Sequence, residues 1–267
     1  MICLGFDTST NWGRFALVRD GEVLVDRPSN VAGSYADTLL PVIDGMLDEA
    51  GIVKGDLDAI AVTRGPGSFT GVRIGVATAK GLAYGLDRPL YAVSTLEAMA
   101  AAMLFGRRDS DWAVPVLDAR RGDLFAGVYR RAGGWVEAVS APAARPIDEW
   151  WERVLAAVPD PELPSYAGSG VPLLLGEGKA LRSELSSRGE PKLRGWSTVH
   201  PSTAKALAWA VTSGEPSIEP VHPFTLVPSY LRVSDAEVKI GIDLTPHSSD
   251  AGIASMEDRR PDSGPGT

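Results

Sequence analysis

The chain has 267 residues, which is enough for one large domain or two small ones, and its hydrophobic share of 44% is ordinary for a globular protein. The net charge of −8 argues against a protein that binds nucleic acid on its own, since such binding relies on basic patches. No apolar run approaches the ~18 residues that span a bilayer, and no basic region precedes the first apolar stretch, as it would in a signal peptide. The single cysteine, Cys3, has no partner for an internal disulfide, so we expect a cytoplasmic protein that contacts no membrane.

The first hundred residues predict a mixed sheet with helices packed on it. Apolar runs separated by turn signals predict five strands, at residues 2–6, 13–18, 22–27, 57–63 and 89–93. The Asp20-Gly21 pair between the second and third strands is a common hairpin signal. A helix is predicted over residues 35–50, because its apolar side chains fall on one arc and three aspartates lie opposite.

The stretch from Thr63 to Gly75, TRGPGSFTGVRIG, joins the fourth strand to a second predicted helix at about residues 69–84. It resembles a phosphate-binding turn but fails both common patterns. Thr70 stands where the dinucleotide motif G-x-G-x-x-G has its last glycine, and Val72 stands where a P-loop has lysine. The turn therefore predicts a tight connection from strand to helix, although backbone amides at the start of the helix could still hold an anion.

The second predicted helix is apolar or small in nearly every direction, apart from one strip that carries Arg73 and Lys80. Three small residues, Gly71, Gly75 and Ala79, are spaced four apart, which allows another backbone to come close. Because a helix that is apolar nearly all round is buried on more than one side, we expect a second contact surface besides the sheet. That surface is either a partner protein or a second domain of the same chain.

The second half repeats the pattern of elements without repeating the sequence. Strands are predicted at residues 113–117, 124–131, 135–139 and 171–175, and helices at 147–157 and 177–187. A further helix at 202–213 could pack on either half. Two copies of three strands, helix, strand and helix predict a duplicated α/β fold, ribonuclease H-like and actin-like, with two mixed-sheet subdomains. We place these at residues 1–107 and 108–232, followed by a Ser-, Asp-, Gly- and Pro-rich tail at 233–267 that we expect to be disordered.

The run from Arg64 to Gly75 is similar to the signature of the TsaB (YeaZ) family, the non-catalytic relatives of the TsaD transferases. Three shorter motifs agree with that family: Asp7-Thr8-Ser9-Thr10, Ser94-Thr95-Leu96 and Tyr230-Leu231-Arg232. The resemblance covers about residues 1–232 and is strongest in the first hundred. The glycine run is specific to the TsaB/TsaD superfamily, but it does not separate the two members well.

The positions of histidines distinguish TsaB from TsaD better than the glycine run does. The resemblance to TsaD would require a metal-binding H-x-x-x-H in the first half of the chain, and the helix after Ser94 contains no histidine. The three histidines of the chain, His200, His222 and His247, all lie in its last third. Without imidazole ligands the site cannot hold iron or zinc in the TsaD geometry, so we expect a subunit without its own metal or catalytic residues.

The resemblance implies a scaffold subunit of the machinery that makes threonylcarbamoyladenosine at position 37 of certain tRNAs. It implies docking of a TsaD-like transferase, a TsaE-like ATPase as a further partner, and contact with tRNA through the complex. ATP and a metal are expected in the partner subunits, and a homodimer is expected when the chain is alone. The candidate interface lies on the first two helices, although some residues of the first helix must serve the core; it comprises Leu40, Ile43, Met46, Leu47, Gly71, Arg73, Ile74, Gly75, Ala77, Thr78 and Gly81.

Two other classes of function remain open at this point. An actin-like kinase or ATPase would use Asp7 at the end of the first strand and Asp118 in the second half, with Thr8, Ser9 and Thr10 forming the phosphate turn. The structural alternative is that both aspartates cap turns, and Asp7 to Thr10 is then a vestigial nucleotide turn. A peptidase is the other class, and the missing metal histidines argue against it.

One departure from the family pattern affects the predicted interface. The family usually has a His-Ser pair at the start of its first helix, and this chain has Tyr35-Ala36 there. A tyrosine can still contact a partner through its ring and its hydroxyl, so Tyr35 is a further candidate contact.

Overall fold

The computed structural model describes residues 1–30, 35–105, 111–120, 122–157, 173–176 and 202–231. The predicted helix at 177–187, the predicted tail, Arg232, His200 and His247 lie outside the described residues. No helix in the described ranges is long and apolar enough to cross a membrane.

The five strands of the first half and one short strand from later in the chain form a six-stranded mixed sheet in the order β10-β5-β4-β1-β2-β3. Strand β1 pairs antiparallel with β2 and parallel with β4, so the sheet is mixed, as predicted. The edge strand β10 has two residues and was not predicted. The bounds are β1 Ile2–Asp7, β2 Trp12–Arg19, β3 Glu22–Asn30, α1 Tyr35–Ala50, β4 Ala59–Thr63, α2 Phe69–Leu86, β5 Leu90–Val93 and β10 Pro220–Val221, with a short 3₁₀ helix at Lys54–Asp56.

The second half forms a four-stranded sheet in the order β8-β7-β6-β9, which repeats the order β3-β2-β1-β4 of the first sheet. Its central strand β6 pairs antiparallel with β7 and parallel with β9. The predicted duplication is therefore confirmed in the described part of the chain. The bounds are β6 Trp112–Asp118, β7 Asp123–Ala132, β8 Trp135–Pro146, α4 Ile147–Ala157 and β9 Leu173–Gly176.

Successive residues of the first sheet point into two different cores. Cys3 lies in a core with helices α3 (Thr95–Leu104) and α5 (Thr203–Thr212), whereas Leu4 lies in a core beneath α1 and α2. The first core also contains Tyr129 and Trp135 of the second sheet, so α3 links the two halves. Helices α1 and α2 cover the opposite face of the first sheet and lie on the outside of the molecule.

Helix α5, which the sequence left open to either half, packs on the first sheet. A Cβ atom at Gly5 of β1 would lie 2.6 Å from the carbonyl oxygen of Ala204, so the helix backbone comes directly onto the strand. Strand β10 joins the same sheet at the β5 edge. Residues 202–221 therefore return to the first sheet, and the division at about residues 107 and 232 stays a prediction.

Candidate functional site

The N-terminal part of helix α2 packs against the turn between β1 and β2. The hydroxyl of its N-cap residue, Ser68, accepts a hydrogen bond from the backbone N–H of Gly71 at 3.3 Å. The hydroxyl of Thr8 donates to the carbonyl oxygen of Gly71 at 2.7 Å, and the Thr8 side chain is fully buried. A Cβ atom at Gly71 or Gly75 would come closer than 3.0 Å to Thr8.

These contacts correct the role that the sequence assigned to Gly71 and Gly75. Both glycines were predicted to allow the close approach of a partner. The atoms that approach them instead belong to Thr8 in the β1–β2 turn of the same chain, with its backbone carbonyl at Gly71 and its side chain at Gly75. Both glycines are buried. Both glycines allow α2 to pack closely on the β1–β2 turn of its own domain.

The inner side of α1 requires a second correction. Ile43, Met46 and Leu47 were candidate interface residues, but their side chains are buried in the core between α1 and the sheet. Burying these side chains stabilises the fold by about 1.5–3 kcal/mol each, so they are not available to a partner without unfolding α1. Leu40 points the other way and is 47% exposed.

One side of α2 remains open to solvent. Arg73, Ala77, Gly81 and Tyr84 are all exposed, and at about 100° per residue they fall within an arc of about 80°. Ile74 and Thr78, both candidates from the sequence, are half-buried beside it. Thr70 and Gly85 of α2 are exposed as well. We call Arg73, Ala77, Gly81 and Tyr84 the α2 strip. Tyr84 was missed from the sequence, although its position three residues after Gly81 could have indicated it.

Arg73 is exposed but held in place. Its guanidinium lies 3.6 Å from the centre of the Phe69 ring, and its Nε donates to the hydroxyl of Tyr230 at 2.8 Å. The rings of Phe69 and Tyr230 are themselves 4.8 Å apart between centroids. The stack fixes the N-terminal end of the α2 strip, because a cation over an aromatic face is attracted to the ring.

The carboxylate of Asp7 is fully used within the fold. One oxygen accepts hydrogen bonds from the backbone N–H of Ser9 at 2.8 Å and from the hydroxyl of Thr63 at 2.7 Å. The other accepts from the hydroxyl of Thr203 on α5 at 2.6 Å. The side chain is only 5% exposed, so Asp7 acts as a junction between β1, β4 and α5.

Asp118 has a local role as well. Its Oδ1 accepts from the backbone N–H of Arg120 at 2.7 Å, which closes the β6–β7 turn, and its Oδ2 lies 3.6 Å from the Arg120 guanidinium. Both aspartates therefore hold turns or junctions, which is the structural alternative that the sequence left open.

A cleft of about 280 Å³ lies between the β1–β2 turn, the start of α2 and the β6–β7 turn. It is lined in part by Ser9, Thr10, Ser68, Asp118 and Tyr230. The buried hydroxyl of Ser9 has no hydrogen-bond partner among the described residues. Asp7 does not line this cleft, because its buried carboxylate is bonded to Ser9, Thr63 and Thr203.

The start of α1 requires a third correction. Tyr35 was a candidate partner contact, but its ring is buried and lies close to Gly13 and Gly71. Its hydroxyl donates to the carbonyl oxygen of Thr10 at 2.5 Å. Tyr35 therefore braces the β1–β2 turn from the side of α1.

One carboxylate with a shifted pKa lies where α3 meets the second sheet. Burial raises the pKa of Glu97, and this effect is opposed by the indole N–H of Trp135, which donates to Oε1 at 2.7 Å, by the backbone N–H of Ser94 and by the charge of Arg64. Burial also raises the pKa of Tyr129, with a smaller contribution from Glu97. Within the described ranges, no three His, Cys, Asp or Glu side chains come together as a possible metal site.

Two sheets that share one four-strand order, with the cleft between their first turns, define a protein with a duplicated actin-like fold. Residues 26–163 match the family model described as TsaD, tRNA N6-adenosine threonylcarbamoyltransferase. The chain is 32% identical over 241 residues to the tRNA threonylcarbamoyladenosine biosynthesis protein TsaB of Bacillus subtilis. The aligned region covers 90% of this chain and 97% of that protein. The chain belongs to the TsaB family.

Solved structures agree with this assignment. A Pseudomonas aeruginosa protein described as similar to peptidase YeaZ superposes with a TM-score of 0.67 and 29% identity over 86% of this chain and 99% of its own. A structure of YeaZ from the same organism gives a TM-score of 0.66 and 26% identity over the same shares. The resemblance stated from the motifs and the duplicated actin-like fold are both confirmed.

Proposed function

We propose that this chain is a subunit required for threonylcarbamoyladenosine formation on tRNA, and that it acts by docking a TsaD-like transferase. The observation that carries the proposal is the 32% identity, along 90% of the chain, to a protein named for threonylcarbamoyladenosine biosynthesis. The match spans 97% of that protein, so it is not confined to one shared segment.

The docking surface consists of the α2 strip together with Leu40 of α1. Three features support this choice: the strip is exposed, its middle residues Ala77 and Gly81 are small, and a Cβ atom at Gly81 would meet nothing within 4 Å. A partner helix could therefore approach the α2 backbone closely. Leu40 adds an exposed apolar side chain of the kind found in the centre of interfaces.

The chemistry belongs to the partner. Asp7 has both carboxylate oxygens bonded within the fold, Asp118 closes its own turn, and the described residues offer no metal cluster. The family resemblance implies that the TsaD-like transferase and a TsaE-like ATPase bind ATP and the metal, and that tRNA is reached through the complex in the cytoplasm. Two copies of this chain pair through the α2 strip when the transferase is absent, because an exposed apolar surface favours association.

Depletion of this chain in its native cell tests the function. Threonylcarbamoyladenosine in total tRNA, measured by mass spectrometry of nucleosides, should fall on depletion and recover when the unaltered chain is supplied. Ala77→Arg, which places a charge in the α2 strip, should fail to restore it. Val139→Arg, which adds the same charge on the exposed part of β8, should restore it. Unchanged levels of the modified nucleoside after full depletion would contradict the proposal.

A further inference from the structure

Two large aromatic side chains stand exposed at the C-terminal end of α2. Tyr84 is 69% exposed and Phe224 is 70% exposed, and their rings meet edge to face with centroids 5.4 Å apart. Tyr84 is the last residue of the α2 strip, and Phe224 comes from the loop that follows β10. Val227 of the same loop is also exposed. Exposed aromatic clusters of this kind usually mark interaction sites.

The loop that carries Phe224 is anchored at several points. The backbone N–H groups of Thr225 and Leu226 both donate to the carbonyl oxygen of His222 at 3.1 Å. The side chain of Leu226 is buried in the core beneath α2, and Lys80 of α2 donates to the carbonyl oxygen of Leu226 at 3.1 Å. Phe224 is therefore presented to solvent in a fixed position next to the helix.

We infer that the Tyr84–Phe224 pair is the aromatic anchor through which the TsaD-like transferase binds the C-terminal half of α2. This inference rests on the proposed function and extends its docking surface to the loop at residues 222–227. Residues that dominate binding energy are most often aromatic or arginine side chains, fixed before binding and covered completely by the partner. Pre-ordered side chains lose less conformational entropy on association, which favours a rigid pair over a mobile one.

The Tyr84–Phe224 pair is continuous with the α2 strip, and this continuity identifies the partner that covers the pair. Tyr84 lies on the same arc of α2 as Ala77 and Gly81, so a partner that covers the strip meets this ring within one helical turn. A Cβ atom at Gly81 or Gly85, on either side of Tyr84, would meet nothing within 4 Å, which leaves room for another backbone. The transferase on the strip is therefore the molecule that covers the aromatic pair.

The test is the dissociation constant of the full chain for the TsaD-like transferase of the same organism, measured by isothermal titration calorimetry. Tyr84→Ala and Phe224→Ala should each weaken binding by about tenfold or more, as for interface anchors. Their combined loss should be smaller than the product of the two, because the rings contact each other. Tyr84→Phe, which keeps the ring, and Val139→Ala on β8 should bind like the unaltered chain. All variants should keep the melting temperature, since the affected side chains are exposed.

Two results would overturn the inference while the proposed function stands. The first is binding of the alanine variants with unchanged affinity while the unaltered chain binds. The second is a loss confined to self-association of the chain, which would make a second copy the occupant. An unaltered chain that does not bind the transferase would contradict the proposed function itself, and the inference with it.

Discussion

Helix α2 packs on Thr8, and the contacts of Thr8 with Gly71 and Gly75 explain the spacing of small residues in that helix. The sequence predicted that a backbone would approach these glycines closely. The Thr8 backbone does so at Gly71, whereas at Gly75 the close atoms belong to the Thr8 side chain. It could not indicate which backbone, because a spacing of four residues describes one helix and contains no information about its neighbour. The contact with the β1–β2 turn depends on the tertiary arrangement of β1, β4 and α2.

Substitutions at two glycines of α2 should have opposite effects on stability. Gly75→Leu should lower the free energy of unfolding by at least ~1–3 kcal/mol, because its Cβ would overlap Thr8 in a packed interior. Gly81→Ala should raise it by about 0.5–1 kcal/mol, because the site is open and alanine favours a helix. Denaturant unfolding of the isolated chain measures both values. A stable Gly75→Leu variant would show that α2 is not seated on this turn.

The two aspartates near the cleft should differ in the same measurement. Asp7→Ala should cost about 3 kcal/mol or more, because it leaves the buried hydroxyls of Thr63 and Thr203 without their acceptor. Asp118→Ala should cost less than ~1 kcal/mol, because that side chain is 45% exposed and its ion pair with Arg120 lies at the surface. Equal, small effects would mean that Asp7 is not a structural junction.

Helix α3 is the element that joins the two halves, and Glu97 gives this junction a pH dependence. Burial raises the pKa of Glu97 in the folded chain above its value in the unfolded chain. The stabilisation linked to its proton is complete below the unfolded-state pKa and is lost as the pH rises through the folded-state pKa. Each unit of difference between the two pKa values is worth about 1.4 kcal/mol.

As the pH rises above ~4.5, the free energy of unfolding of the unaltered chain should therefore fall more than that of the Glu97→Gln variant. Glutamine keeps the acceptor for the Trp135 indole and removes the titration. Glu137→Gln, on the exposed side of β8, controls for the loss of a carboxylate. Parallel pH profiles for the unaltered chain and Glu97→Gln would exclude this coupling.

One face of helix α2 packs on its own domain, and the α2 strip is exposed. A charge introduced in the strip should therefore weaken docking without affecting folding. Ala77→Arg should weaken binding of the TsaD-like transferase by about 100-fold or more, because an unpaired charge would be buried in the interface. Its melting temperature should stay within the small range typical of surface substitutions. Val139→Arg provides the matched control on β8 in both measurements. Unimpaired binding by Ala77→Arg would place the interface elsewhere.

At the scale of the whole molecule, the duplicated topology could be predicted from the order of the elements, and α1 and α4 have the predicted bounds. The third strand of the second sheet, β8, was predicted to end at residue 139 and continues to Pro146. Its second half consists mostly of alanine, serine and proline, which have little strand preference, and it is fixed by pairing with β7. Local sequence carries no signal for such a strand.

The candidate site was predicted in part. Leu40, Arg73, Ala77 and Gly81 are exposed as a docking surface requires, whereas the buried members of the set show that helix periodicity alone does not separate core from interface. An apolar residue on the inner side of α1 has the same sequence signature whether a sheet or a partner covers it. Phe224 could not be paired with Tyr84 in advance, because 140 residues separate them and the contact depends on the return of the chain to the first sheet.

The most direct measurement of the central claim is threonylcarbamoyladenosine formation on tRNA in a purified system that contains the TsaD-like transferase and the other components, with and without this chain. The proposal predicts product with the unaltered chain and with Asp118→Ala, and none with Ala77→Arg or with the chain omitted. Full product from the transferase without this chain, or with Ala77→Arg in its place, would contradict the claim that this chain acts by docking through α2.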